Sequence, residues 1–163
     1  MNPRRHLELA QALMIGVRSG TPVSTGTGDV ECRCVVGRSY YCAFLVARDF
    51  LNQIGLWITP TSAGHNTVQY ALNNSGVASL RKVGSQLEIL STERNYADYE
   101  PSNPRAETVA AAEAALSTAT TAIQMLDIIL AGRVTPPLDL AAVANTILAW
   151  ARANGQESKI RRL

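Results

Sequence analysis

Residues 29–54 read DVECRCVVGRSYYCAFLVARDFLNQI, and this run decides the fold class. Val36, Tyr40, Ala43, Phe44, Ala47, Leu51 and Ile54 recur three and four apart. That spacing lines one face of a helix with 3.6 residues per turn. Gly55 follows as a natural stop. Arg38, Tyr41, Leu45 and Arg48 fall on neighbouring faces, so a polar and aromatic side runs beside the apolar stripe.

Upstream, Leu7, Ala10, Leu13, Met14 and Val17 predict a short amphipathic helix over about 3–16, with Pro3 tolerated in its first turn and Gly16 as its end. Residues 19–28 hold Gly, Thr, Ser, Pro and Val and read as a flexible connection. Gly26-Thr27-Gly28 lacks the Gly-Lys-Ser/Thr ending of a phosphate loop. Downstream, Pro60-Thr61-Ser62 supplies a turn and a cap for a short helix over about 64–72, broken at Asn73-Asn74-Ser75-Gly76. A helix over about 76–97 follows, with Val77, Leu80, Val83, Leu87 and Leu90 inward.

Asn103 and Pro104 predict a capped start for a long helix whose seam is Val109, Ala112, Leu116, Ala119, Ile123, Leu126 and Leu130. Its many small residues permit close approach, within an antiparallel bundle or across a dimer. Gly132 and Pro136-Pro137 end it. A last helix over about 138–153 carries Leu140, Val143, Ile147, Leu148 and Trp150, and Asn154-Gly155 leads into a basic tail. No strand pattern and no internal repeat is visible. The expected fold is therefore an all-α, up-and-down helical bundle, divided as 1–28 (helix and linker), 29–132 (bundle) and 133–163 (last helix and tail).

Composition supports that class. The 163 residues are 47% apolar, only 17% charged and 6% aromatic, which suits a helical globular domain rather than a disordered or disulfide-stapled one. A net charge of +2 gives no generally basic surface. The terminal runs Arg4-Arg5-His6 and Lys159-Ile160-Arg161-Arg162 read as solvated charge. Cys32, Cys34 and Cys42 cannot all pair and have no partner Cys or His pair at zinc-site spacing, so reduced thiols and no metal are expected. No cofactor is called for. With neither a signal-peptide run nor about twenty consecutive apolar residues, the chain is expected to be soluble and cytoplasmic, without a membrane partner.

The chemistry concentrates in Arg94-Asn95-Tyr96-Ala97-Asp98-Tyr99, where a guanidinium, a carboxylate and two phenols share six residues at a helix end. An apolar core has no use for that mixture. Gly37-Arg38-Ser39-Tyr40-Tyr41-Cys42-Ala43-Phe44 is the second such segment, and the two together predict a polar site between two helices. The structural alternative is open at each position. Arg94 and Asp98, four apart, also make an ordinary helix-end ion pair. Tyr40 lies on the apolar stripe and reads as core, and tyrosines at helix ends often bury their rings with hydroxyls at the rim.

The three segments Gly37 to Phe44, Gly64-His65-Asn66-Thr67-Val68 and Arg94 to Tyr99 resemble, in order, the Arg-Ala-Tyr-Tyr-Ala-x-Phe run, the loop His and the Arg-x-x-Ala-Asp-Tyr run of HEPN-domain proteins. The resemblance covers about 29–130. It implies a HEPN-type bundle that forms a homodimer, with the Arg motifs of both subunits facing one another across a cleft that handles RNA. Many family members are metal-independent ribonucleases acting as toxins or defence effectors, often encoded beside an antitoxin such as a nucleotidyltransferase. On that reading Arg94, Asp98, Tyr99 and His65 are the catalytic candidates, and Arg38, Tyr41 and Tyr96 bind RNA or a nucleotide. The family's nucleases place a His four to six residues after the Arg, and Tyr99 stands there instead. A non-catalytic module binding a nucleotide, an RNA or a partner protein is therefore the alternative, because a phenol titrating near pH 10 is a poor base at neutral pH.

Overall fold

The three- and four-residue periodicities of the chain lead to a mostly helical protein. The structure is a computed structural model and describes residues 2–21, 28–60 and 64–163. Six helices lie among the described residues: α1 (Arg5–Arg18), α2 (Asp29–Gln53), α3 (Gly64–Asn73), α4 (Ala78–Tyr99), α5 (Val109–Leu130) and α6 (Leu140–Ala153). Most of the predicted connection over 19–28, the Gly26-Thr27-Gly28 motif apart from its last residue, and the Thr61 and Ser62 cap lie outside the described residues. No helix among the described residues is long and apolar enough to cross a membrane.

The stripe on α2 is buried along its whole length, from Val36 and Tyr40 through Leu51 to Ile54. Leu80, Val83, Leu87 and Leu90 of α4 are buried as their spacing requires. Helix α5 departs from expectation in two respects. It begins at Val109, not Pro104. Asn103 caps instead a single 3₁₀ turn, Pro104–Glu107, and the Thr108 hydroxyl then accepts from the Ala111 N–H to start α5. The predicted seam also holds only in part. Ala112, Ala119, Ile123 and Leu126 are buried as expected and Ala115, Ala122 and Ile129 join them, while Val109 is exposed and Leu116 and Leu130 are only half-buried. Leu116 and Leu130 marked the wrong edge of the stripe, because alanines are what allow a neighbouring backbone to approach.

Two compact units make up the chain: Met1–Ala43 with Leu87–Thr121, and Phe44–Gln86 with Ala122–Leu163. In the first, Ala10 and Met14 of α1 join Cys32 and Val35 of α2 and Ala112 of α5 in one buried cluster, with Leu13, Val17 and Leu116 packed against it. Helix α1 continues through Gly16 to Arg18, where the Ser19 N–H returns to the Ile15 carbonyl.

In the second unit, α3 packs on α6. Asp139 caps α6, its carboxylate accepting from the Ala141 and Ala142 N–H groups. Gly84 of α4 meets Asn73 so closely that any Cβ there would collide with the Asn73 amide oxygen. The expectation of no strand is corrected here. Leu56–Ile58 (β1) pairs antiparallel with Ile160–Arg162 (β2), Trp57 opposite Arg161. The basic tail is thus an ordered strand: Ile160 is buried, while Arg161 and Arg162 are exposed as expected of solvated charge, the Arg161 guanidinium 4.2 Å from the centre of the Trp57 ring. Three-residue strands are too short to show a period of two, and the partners stand a hundred residues apart, so no local pattern announces them.

Candidate functional site

The site in the first unit is built where α2 and α4 run side by side. Gly37 permits the approach, since a Cβ there would lie 3.3 Å from the Asp98 carboxylate. Arg33, one turn before Gly37, anchors the far end of α4. Its guanidinium donates to the carbonyls of Tyr96, Ala97, Glu100, Pro101 and Asn103, and it pairs with Glu107 at 2.8 Å. The last carbonyls of a helix have no partner within it, so one side chain here satisfies the end of α4 and fixes the turn after it.

With α4 so held, Arg94 reaches across to α2. One Nη2 donates to the Tyr41 hydroxyl at 2.6 Å and to the Tyr99 hydroxyl at 2.9 Å, and Nη1 donates to the Asn95 side chain at 3.2 Å. Nε lies 2.6 Å from Asp98 Oδ2, but its buried N–H makes no hydrogen bond, so this contact is an ion pair without hydrogen-bond geometry. The guanidinium carbon is 4.8 Å from the ring centre of Tyr99, 5.2 Å from that of Tyr41 and 5.8 Å from that of Tyr40. Burial works against the Arg94 charge, yet Tyr41, Asp98 and Tyr99 together outweigh it, and the group holds its proton more firmly than usual.

Tyr40 is buried, as its place on the stripe predicts, and burial pushes its phenol up despite a hydrogen bond with Ser91. Tyr99 projects into solvent at 66% exposure. Cys34, Gly37, Arg38, Tyr41 and Asp98 line a cavity of about 150 Å³ beside this cluster. The structure thus brings together Arg94, Asp98, Tyr99, Tyr41 and Arg38. Tyr96 points elsewhere, its ring under Arg105 at 5.5 Å. His65 belongs to the second unit, where its ring stacks on Phe44 with centres 4.1 Å apart, and Arg48 covers Phe44 at 5.8 Å.

Two residues of this neighbourhood escaped the sequence reading. Arg33 was passed over, although Arg33, Gly37 and Tyr41 are spaced four apart and so share a helix face. His6, taken as part of a solvated terminal run, packs its ring against Tyr41 with centres 6.3 Å apart. Cys32 and Cys42 are buried and Cys34 is exposed, all three free. Among the described residues, no three His, Cys, Asp or Glu side chains gather as a metal site. Compared with family models, curated proteins and solved structures, the chain matches none.

Proposed function

We propose that the chain is a HEPN-like helical protein that binds RNA or a nucleotide, as a homodimer, through the Arg94 cluster, and that this cluster binds rather than cleaves. One observation carries the reading. Three of the five N–H donors of Arg94 are spent on Tyr41, Tyr99 and Asn95, with Asp98 as counter-ion. The guanidinium therefore organises the aromatic rings around a half-buried positive charge, with most of its fork turned to partners within the protein. Aromatic rings of that kind stack on unpaired bases at about 1–3 kcal/mol per base, and the exposed Tyr99 is placed to do so.

The metal-independent ribonuclease reading, with its toxin or defence role and a nucleotidyltransferase antitoxin, needs an acid–base group at the scissile phosphate. Asp98 is engaged as the counter-ion of Arg94, and Tyr99 replaces the family's His. Binding without cleavage is the better fit to those side chains.

The test is incubation of wild-type and Arg94→Ala protein with single-stranded RNA in EDTA, read by gel and by mobility shift, with the oligomeric mass measured in the same buffer. The reading expects a dimer that shifts RNA without cutting it and loses the shift in Arg94→Ala. RNA cleaved by wild type alone would replace it with the nuclease reading.

A further inference from the structure

Arg38 lines two cavities of the first unit. One is the cavity beside Tyr41 and Asp98 described above. The other, about 310 Å³, is walled by Arg5, His6 and Leu9 of α1 and by Arg38 of α2, and no carboxylate lines it. Among the described residues, the side chains of Arg5 and Arg38 enter no ion pair and no hydrogen bond. Two exposed arginines, permanently charged, and a half-buried histidine thus line one surface cavity that no carboxylate lines.

His6 registers that field. Burial first, and the Arg38 charge second, hold its proton affinity below the ordinary value of 6.5. The groups facing it are Arg38 and Tyr41 from α2 and Arg5 from its own helix. A neutral imidazole offers one N–H donor and one acceptor nitrogen.

We infer that this cavity is a subsite for a phosphate monoester, held between Arg5 and Arg38 with the His6 ring as a further hydrogen-bond donor. The charge balance selects the monoester. At pH 7 it carries roughly −1.5 to −2, matching two fixed guanidinium groups, whereas a phosphodiester with one charge leaves an arginine uncompensated. The Tyr41 ring, 6.3 Å from that of His6, makes the subsite continuous with the aromatic platform. The ligand class is therefore a nucleoside monophosphate or an RNA end bearing a terminal phosphate. The nucleoside part of this inference rests on the proposed function; the phosphate part does not.

The chain has two histidines, so their ring protons can be followed separately by NMR through a pH titration, with His6→Gln assigning the signals and His65 as internal control. Inorganic phosphate and AMP should raise the His6 midpoint by about one unit, a tenfold gain in proton affinity, because the bound dianion offsets the arginine field. ApA, which has no terminal phosphate, should leave it in place. The Arg5→Gln/Arg38→Gln double variant, its fold checked by circular dichroism, should lose the response. The phosphate response should survive in Tyr99→Ala, so that failure of the platform and failure of the subsite are read separately. A His6 midpoint unmoved by AMP, or moved as far by ApA as by AMP, overturns the inference.

Discussion

Arg94 and Tyr41 are joined by a 2.6 Å hydrogen bond between α4 and α2, across 53 residues of sequence. The guanidinium donates to the phenol while its carbon lies over the ring, 5.2 Å from the centre, so one side chain contacts both the hydroxyl and the ring. Tyr99 is held by the same nitrogen at 2.9 Å. In the proposed function, rings held in this way have little side-chain entropy left to lose when a base stacks on them.

Arg94→Lys tests whether the fork, and not the charge, organises the platform. A lysine keeps one positive charge but has no planar set of donors to span Tyr41, Tyr99 and Asn95. We expect RNA affinity to fall at least tenfold, and unfolding in urea to show a loss of about 1–3 kcal/mol. Wild-type affinity in this variant would mean that charge alone suffices.

Arg33 should carry a stability effect as large as that of a core side chain. Arg33→Ala removes a donor from five carbonyls at the end of α4 and in the following turn, of which Tyr96 and Glu100 keep a backbone N–H and Ala97, Pro101 and Asn103 do not, and leaves half-buried Glu107 without its partner. The expected cost is about 2–4 kcal/mol in denaturant unfolding. Arg33→Lys should recover little of it, since an ammonium cannot reach that fan of acceptors. A melting temperature within one degree of wild type for Arg33→Ala would remove Arg33 from the account of how the site is positioned.

The three thiols should separate by reactivity. Burial pushes the Cys32 thiol up, aided by Asp29 and Glu31, and pushes Cys42 up as well, so both stay protonated and shielded. Cys34 is exposed and lines the cavity with Arg38, Tyr41 and Asp98. One equivalent of a maleimide should therefore label Cys34 alone in the folded protein, and single-stranded RNA should slow that labelling. Equal labelling of all three, read by peptide mass, would contradict the packing of α2.

The contrast between what was legible in the sequence and what was not follows from the range of the interactions. Helix existence was legible because burial imposes a local period: the α2 stripe from Val36 to Ile54 is buried at every marked position. The clustering of Arg94, Asp98 and Tyr99 was legible because polar and aromatic residues crowd six positions of one helix. The β1–β2 ribbon, the Arg33 fan and the approach of His6 to Tyr41 were not, since each is made by residues far apart in sequence. The α5 seam misled in part, through residue size. Ala112, Ala119, Ile123 and Leu126 of the predicted line are buried, but Val109, Leu116 and Leu130 are not, and Ala115, Ala122 and Ile129 complete the buried line instead.

Tyr99→Ala gives the most direct test of the central claim, because Tyr99 is 66% exposed and its removal leaves the core untouched. Fluorescence anisotropy with a labelled single-stranded RNA should show Kd weakened by about tenfold or more, the loss of one stacked base, while circular dichroism shows the fold retained and the lost Arg94 hydrogen bond lowers stability only slightly. Equal affinity in wild type and Tyr99→Ala would contradict the claim that the Arg94 cluster is a platform for nucleic-acid bases.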